Sequence, residues 1–156
     1  MAFTVSSLPI EPFSPLFALD DEALAARGMM RVVADAPFAF PCRVTLDDAE
    51  TGERLILLNY EHQPADSPFR STYGIYVRET ADASVTTVDA LPPALRRRLL
   101  SLRGFDAAGM LRDADVVEGA AAEPVIARML ADPDVAYLHA HYARPGCYAA
   151  RIDRAV

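Results

Sequence analysis

Two of the three histidines in this 156-residue chain, His139 and His141, stand one residue apart near its end. One of its two cysteines, Cys147, follows across Pro145-Gly146. On a strand, residues i and i+2 face the same way, about 6.5–7 Å apart. The two imidazoles then share a face with Tyr137, while Leu138, Ala140 and Tyr142 take the other. Leu138 and Ala140 suit a core, which leaves the histidines to an opposite, wetter face or cleft. Two imidazoles so placed can share a metal ion if a third ligand joins them. Candidates for that ligand are His62, Cys147, Cys42 and Glu118. The same pair can equally serve as acid, base or hydrogen-bonding groups, or stay structural.

The cysteines carry a second kind of chemistry. Cys42 lies in Pro41-Cys42-Arg43, and a neighbouring cation favours a thiolate. Catalytic candidates are therefore Cys42, Cys147 and His141. A nucleophile needs a base within hydrogen-bond reach, and only three histidines can serve. Against this, free cysteine also behaves as a small buried hydrophobe. Neither cysteine belongs to a Cys-x-x-Cys, so no zinc knuckle is expected and both are expected as reduced thiols. A tight two-residue Pro145-Gly146 turn would set His141 opposite Ala150 and Ala143 opposite Tyr148. Pro-Gly favours a type II turn instead, which predicts a longer, bulged loop.

Binding candidates extend beyond the histidine strand. Asn59, Tyr60, Glu61, His62 and Gln63 group polar side chains at a predicted strand end. Arg43, Arg78 and Arg103 each interrupt an apolar strand pattern, and two that converge would clamp a carboxylate or phosphate. Arg96, Arg97 and Arg98 read as a solvated helix face.

Composition excludes several classes. All 15 basic residues are arginine, so no lysine can form a Schiff base or a Walker A site. The net charge of −7 opposes nucleic acid and anionic membranes as partners. No run approaches the roughly 18 apolar residues of a membrane span. The first residues carry neither the basic nor the apolar region of a secretory signal, so a cytoplasmic location is expected. Gly-x-Ser-x-Gly, Gly-x-Gly-x-x-Gly and His-Glu-x-x-His are absent. Gly104 and Gly109 have P-loop spacing, but Met110-Leu111 replaces the required Lys and Ser/Thr.

These groups need elements to position them. Asp20 is a candidate N-cap for a short helix over residues 21–27 that stops at Gly28. Strands are predicted over 3–10, 29–34, 42–46, 55–60, 73–79, 100–106, 111–118, 135–142 and 147–152, some of them weakly marked. Pairing of 42–46 with 55–60 as a hairpin around Gly52 is expected. Further helices are predicted over 92–99 and 123–131. Residues 37–41, 64–71 and 81–89 read as loops, the last polar and mobile. Roughly seven short strands and about three short helices, joined by hairpin-length connections, predict a single α+β domain over residues 1–156 with a mainly antiparallel sheet. Val32, Leu57, Ile75, Val77, Val116, Ile126, Leu130 and Leu138 are its expected core.

Many short blocks also agree, in order, with one family. They are Phe40-Pro41-Cys42-Arg43, Gly52-Glu53, Leu57-Leu58-Asn59-Tyr60 with His62-Gln63, Ser67-Pro68, Val77-Arg78-Glu79, Leu102-Arg103 with Asp106, Glu118-Gly119, and His139-Ala140-His141 with Gly146-Cys147. From about residue 3 to 153 the chain resembles the small bacterial proteins of domain-of-unknown-function family 1203. The resemblance implies one whole domain and a bacterial source, and it carries over no catalytic residue.

Two functions follow from the residues. The first is binding of a small, perhaps anionic, ligand in a cleft among Cys42 and Arg43, Asn59 and His62, and the His139–His141 strand, with Arg78 and Arg103 as further contacts. The second is a small enzyme that uses a Cys-His pair or a metal held by His139 and His141. Neither a cofactor nor an oligomeric state can be read from the residues.

Overall fold

Local chemistry begins and ends the elements. Asp20 accepts a hydrogen bond from the Ala23 amide (2.8 Å) and opens α1 (Asp21–Ala25). Gly28, at φ 71°, supplies the left-handed residue that turns the chain into β2 (Met30–Val33). The computed structural model describes residues 2–156. The remaining strands are β1 (Phe3–Ser6), β3 (Arg54–Gln63), β4 (Ser71–Arg78), β5 (Thr86–Val88), β6 (Leu99–Phe105), β7 (Leu111–Glu118), β8 (Tyr137–Tyr142) and β9 (Tyr148–Arg154). The helices α2 (Pro93–Arg96) and α3 (Glu123–Ala131) complete the α+β domain.

Two antiparallel sheets result. The larger has strand order β5-β1-β9-β8-β6-β7 and the smaller β2-β3-β4. The larger sheet is covered on both faces. Leu138, Ala140, Leu100, Leu102 and Ile152 pack with Leu95 of α2 and Ile126, Met129 and Leu130 of α3. On the opposite face, Tyr148 packs with Ile56, Leu58, Ile75 and Val77 of the smaller sheet. Every residue of β8 is therefore buried. Arg128 of α3 ties its helix to the edge strand β7 through Asp113 and Asp115, each at 3.0 Å.

Several expectations are corrected. Residues 42–46 form a tight turn rather than a strand, with Leu46 N donating to Cys42 O and Leu46 at φ 54°. The expected hairpin with 55–60 does not form; β3 pairs instead with β2 and β4. Residues 81–89 include β5, which extends the sheet beside β1. Arg97 and Arg98 are not a free solvated face. Both donate to the buried Asp48 carboxylate, at 2.8 and 2.6 Å, and pin the 42–48 turn to α2. Val116 is 57% exposed, because it pairs with Ser101 on the face away from the helices; Val117 packs on the core in its place. Val32 and Leu57 are half-buried, whereas Ile75, Val77, Ile126, Leu130 and Leu138 are core residues.

Candidate functional site

Strand register assembles the site. In β8, His139 and His141 alternate with Leu138 and Ala140, so both rings leave the helix-covered face. Directly paired residues share a face. Across one side, Arg103 and Ser101 of β6 pair with His139 and His141. Across the other, Arg151 and Tyr148 of β9 pair with the same two histidines. One face of three strands thus carries two imidazoles, two guanidiniums, a serine and a tyrosine.

Two β-bulges bring in the residues that regular pairing would turn away. In β9, Ala140 pairs with Ala150 but His141 pairs with Tyr148, so Ala149 is the extra residue. Without that bulge Tyr148 would fall on the helix face. In β3, Glu61 pairs with Thr72 and Gln63 with Ser71, which makes His62 the extra residue. A bulge re-aims side chains locally, and both His62 and Gln63 here reach the larger sheet. His62 stacks on Tyr148 at 5.1 Å between ring centres and lies 5.1 Å from His141 and 6.2 Å from His139. Gln63 Nε2 donates to the Tyr137 hydroxyl at 2.9 Å.

His62 and His139 stand between two clefts. One, of about 240 Å³, is lined by Arg103, Ser101, Phe69, Phe105 and Leu111 together with the histidines. The other, of about 450 Å³, lies on the Tyr137, Tyr148 and Arg151 side. Ser67 Oγ donates to Gly109 O at 2.9 Å, which fixes the loop carrying Phe69 against the β6–β7 turn. Gly109 is at φ 79°, and a Cβ there would collide with the Ala65 side chain, so this close approach requires glycine.

Burial sets the charge of the site. His139 and His141 are 3% and 2% exposed. Desolvation pulls the His139 pKa down to about 3, helped by repulsion from His141 and His62. His141 is pulled down to about 4 by the same desolvation, with Arg103 adding repulsion and a hydrogen bond to Gly146 opposing it. His62 is also lowered by burial and by Arg103. All three rings are neutral at pH 7. His141 Nδ1 lies 2.9 Å from the Gly146 carbonyl, which only accepts, so Nδ1 carries the proton and Nε2 is a lone pair. Nδ1 of His62 and of His139 are buried without a hydrogen-bond partner.

The two guanidiniums differ. Arg151 is held by Asp153 at 2.9 Å and covers the Tyr137 ring. Arg103 donates only to Ser101 Oγ, at 3.3 Å, and has no carboxylate partner among the described residues. Burial lowers its pKa without bringing it near neutrality.

Of the residues singled out by sequence, the structure brings together His62, His139, His141 and Arg103. Others lie elsewhere. Asn59 is exposed, one position out of phase with the inward residues of β3. Arg78 is paired with Glu53 at 2.7 Å. Arg43 is fully buried and donates to Tyr148 O and Cys147 Sγ, at 2.6 and 2.9 Å. Both cysteines are free, and Cys42 accepts from the backbone amides of Val44, Thr45 and Arg78 at 3.3–3.4 Å. No cysteine sulfur is bonded to an imidazole among the described residues. No group of three or more His, Cys, Asp and Glu side chains there is arranged to hold a metal ion. Glu118 is exposed at the end of β7. Ser101 and Tyr148 were missed by sequence reading. Period-two spacing from Arg103 would have found Ser101; nothing in the sequence marks the bulge that turns Tyr148 inward.

No helix among the described residues is long and apolar enough to cross a membrane. Comparison with curated proteins and with solved structures finds no match. The family model described as "Protein of unknown function (DUF1203)" matches residues 39–154, beginning after β2 rather than near residue 3. That span holds every residue of the histidine cleft, and the chain belongs to this family.

Proposed function

We propose that the chain binds a small carboxylate with an apolar body in the cleft between the bulge of β3 and the face of β6 and β8. The observation that carries this reading is Arg103, a half-buried guanidinium with no acidic partner, facing a cleft of about 240 Å³ beside three neutral imidazoles. A planar guanidinium recognises a carboxylate through paired hydrogen bonds. Phe69, Phe105 and Leu111 on the same walls suit an apolar body, the usual balance in a small-molecule site. Neutral histidines add donors and acceptors without charge. A bound anion makes protonation of an adjacent imidazole easier, so binding tightens as pH falls toward the raised imidazole pKa.

The net charge of −7 and the two free thiols support a small-molecule partner and a cytoplasmic site of action over nucleic acid or an anionic membrane. The enzyme alternative draws less support, since Cys147 meets a guanidinium and not an imidazole.

Thermal denaturation with benzoate, inorganic phosphate or zinc chloride at pH 6 tests the reading. Benzoate is expected to raise the melting temperature of the native chain, and Arg103→Gln to abolish that rise. A response to zinc alone, a benzoate response indifferent to Arg103→Gln, or no response to benzoate overturns it.

A further inference from the structure

A third cavity, of about 360 Å³, lies beside the β8–β9 loop, apart from both clefts at the histidines. Cys147 lines it and is 7% exposed. Arg43 Nη2 donates to Cys147 Sγ at 2.9 Å. The other Arg43 donors go to the carbonyls of Tyr148 and Pro41, so no carboxylate of the described residues neutralises this buried cation. The sulfur is the one group in its hydrogen-bonding shell that can acquire a negative charge. Tyr142 lines the same cavity, is 1% exposed, and its hydroxyl has no hydrogen-bond partner. Guanidiniums of Arg43 and Arg98 lie 5.0 and 5.1 Å from its ring centre. Burial keeps its hydroxyl protonated and hence a donor. Phe38, Pro41 and Leu99 give the cavity apolar walls, and Arg98 and Arg144 line it as well.

We propose that Cys147 is an oxidisable thiol that reacts with organic hydroperoxides in this cavity, with Arg43 as counter-ion to the attacking sulfur and the Tyr142 hydroxyl as donor to the leaving oxygen. Cys147 gives its thiol proton to water, and the sulfur then attacks the terminal peroxide oxygen. An S–O bond forms, the O–O bond breaks, and sulfur gives two electrons to the peroxide. Cys147 becomes a sulfenic acid, with the hydroperoxide's own hydrogen on its oxygen. The alkoxide leaves against the Tyr142 hydroxyl and takes its proton from water, giving the alcohol. The apolar walls of Phe38, Pro41 and Leu99 favour an alkyl or aryl hydroperoxide over hydrogen peroxide. Cys42 stands as an internal contrast: fully buried, bonded by backbone amides, and outside this cavity.

The test treats the full chain with cumene hydroperoxide, traps sulfenic acid with dimedone, and locates the adduct by peptide mass spectrometry. Oxidation of Cys147 is expected at least about tenfold faster than that of N-acetylcysteine, as for a thiol beside a cation. Cys42 should stay unmodified, and Cys147→Ser should carry no adduct. Tyr142→Phe, which keeps the packed ring, should slow the reaction severalfold. A wild-type rate no faster than N-acetylcysteine, an adduct confined to Cys42, or a rate unchanged in Tyr142→Phe overturns the proposal. The histidine cleft takes no part, so such a failure leaves the carboxylate reading standing.

Discussion

The two faces of β8 take alternate residues of one six-residue strand and do opposite work. Leu138 and Ala140 lie under α2 and α3 in an aliphatic core, with Tyr142 at its margin beside Arg43 and Arg98. His139 and His141 are as deeply buried, yet they lie among Arg103, Ser101, Tyr148 and His62, and Nδ1 of His139 and of His62 is left unpartnered. Burying polar groups without partners costs stability. A face built only for packing would have used aliphatic residues there. The difference assigns Leu138 and Ala140 to folding and the histidine face to a ligand.

Acid should expose this contrast most strongly. Both histidines have folded-state pKa values below the ordinary 6.5, at about 3 and 4. The unfolded chain therefore binds more protons between these limits. The stability present above pH 6.5 is lost as pH falls toward 4, at roughly 1.4 kcal/mol per unit for each histidine. From pH 7 to 4.5 the loss is on the order of 5 kcal/mol at most. Urea titrations at each pH check it, and His139→Leu should flatten the slope. A stability constant from pH 7 to 4.5 would mean that the rings are not buried as neutral groups.

On the other face, Leu138→Ala should cost about 2–5 kcal/mol in urea unfolding without altering benzoate affinity. A loss of binding in a variant that remains folded would erase the division between the faces. A smaller effect is expected at the support for the cleft. Gln63→Leu removes the hydrogen bond to Tyr137 and should cost about 1 kcal/mol, measured by thermal unfolding. Smallest of all, Asn59→Ala on the exposed side of β3 should stay within about 0.5 kcal/mol and leave binding unchanged. Impaired binding in Asn59→Ala would move the site toward the outer face of the small sheet.

Much of this was legible in period-two patterns. The alternation from Tyr137 to Tyr142 placed both histidines on one side, and the apolar spacing of 123–131 delimited α3 to the residue. The α+β class followed from element lengths. Long-range partners were less legible. Residues 42–46 have strand composition, but the bonds that Cys42 makes with nearby backbone amides fold them into a turn. Arginine marked polar positions without saying which had acids nearby: Arg78 and Arg98 found Glu53 and Asp48, and Arg103 found none. The wetter face expected for the histidines is in fact closed over by β3, through a bulge that no local pattern announces.

The central claim is that Arg103 supplies the positive charge of the cleft while the imidazoles wait neutral beside it. Titration of the histidine ring nitrogens by NMR, with and without benzoate, tests this most directly. In the free protein the signals of His139 and His141 should stay those of neutral imidazole down to pH 5, and saturating benzoate should raise the pKa of at least one of them in wild type but not in Arg103→Gln. Titration near 6.5 in the free protein, unmoved by benzoate, would contradict the account.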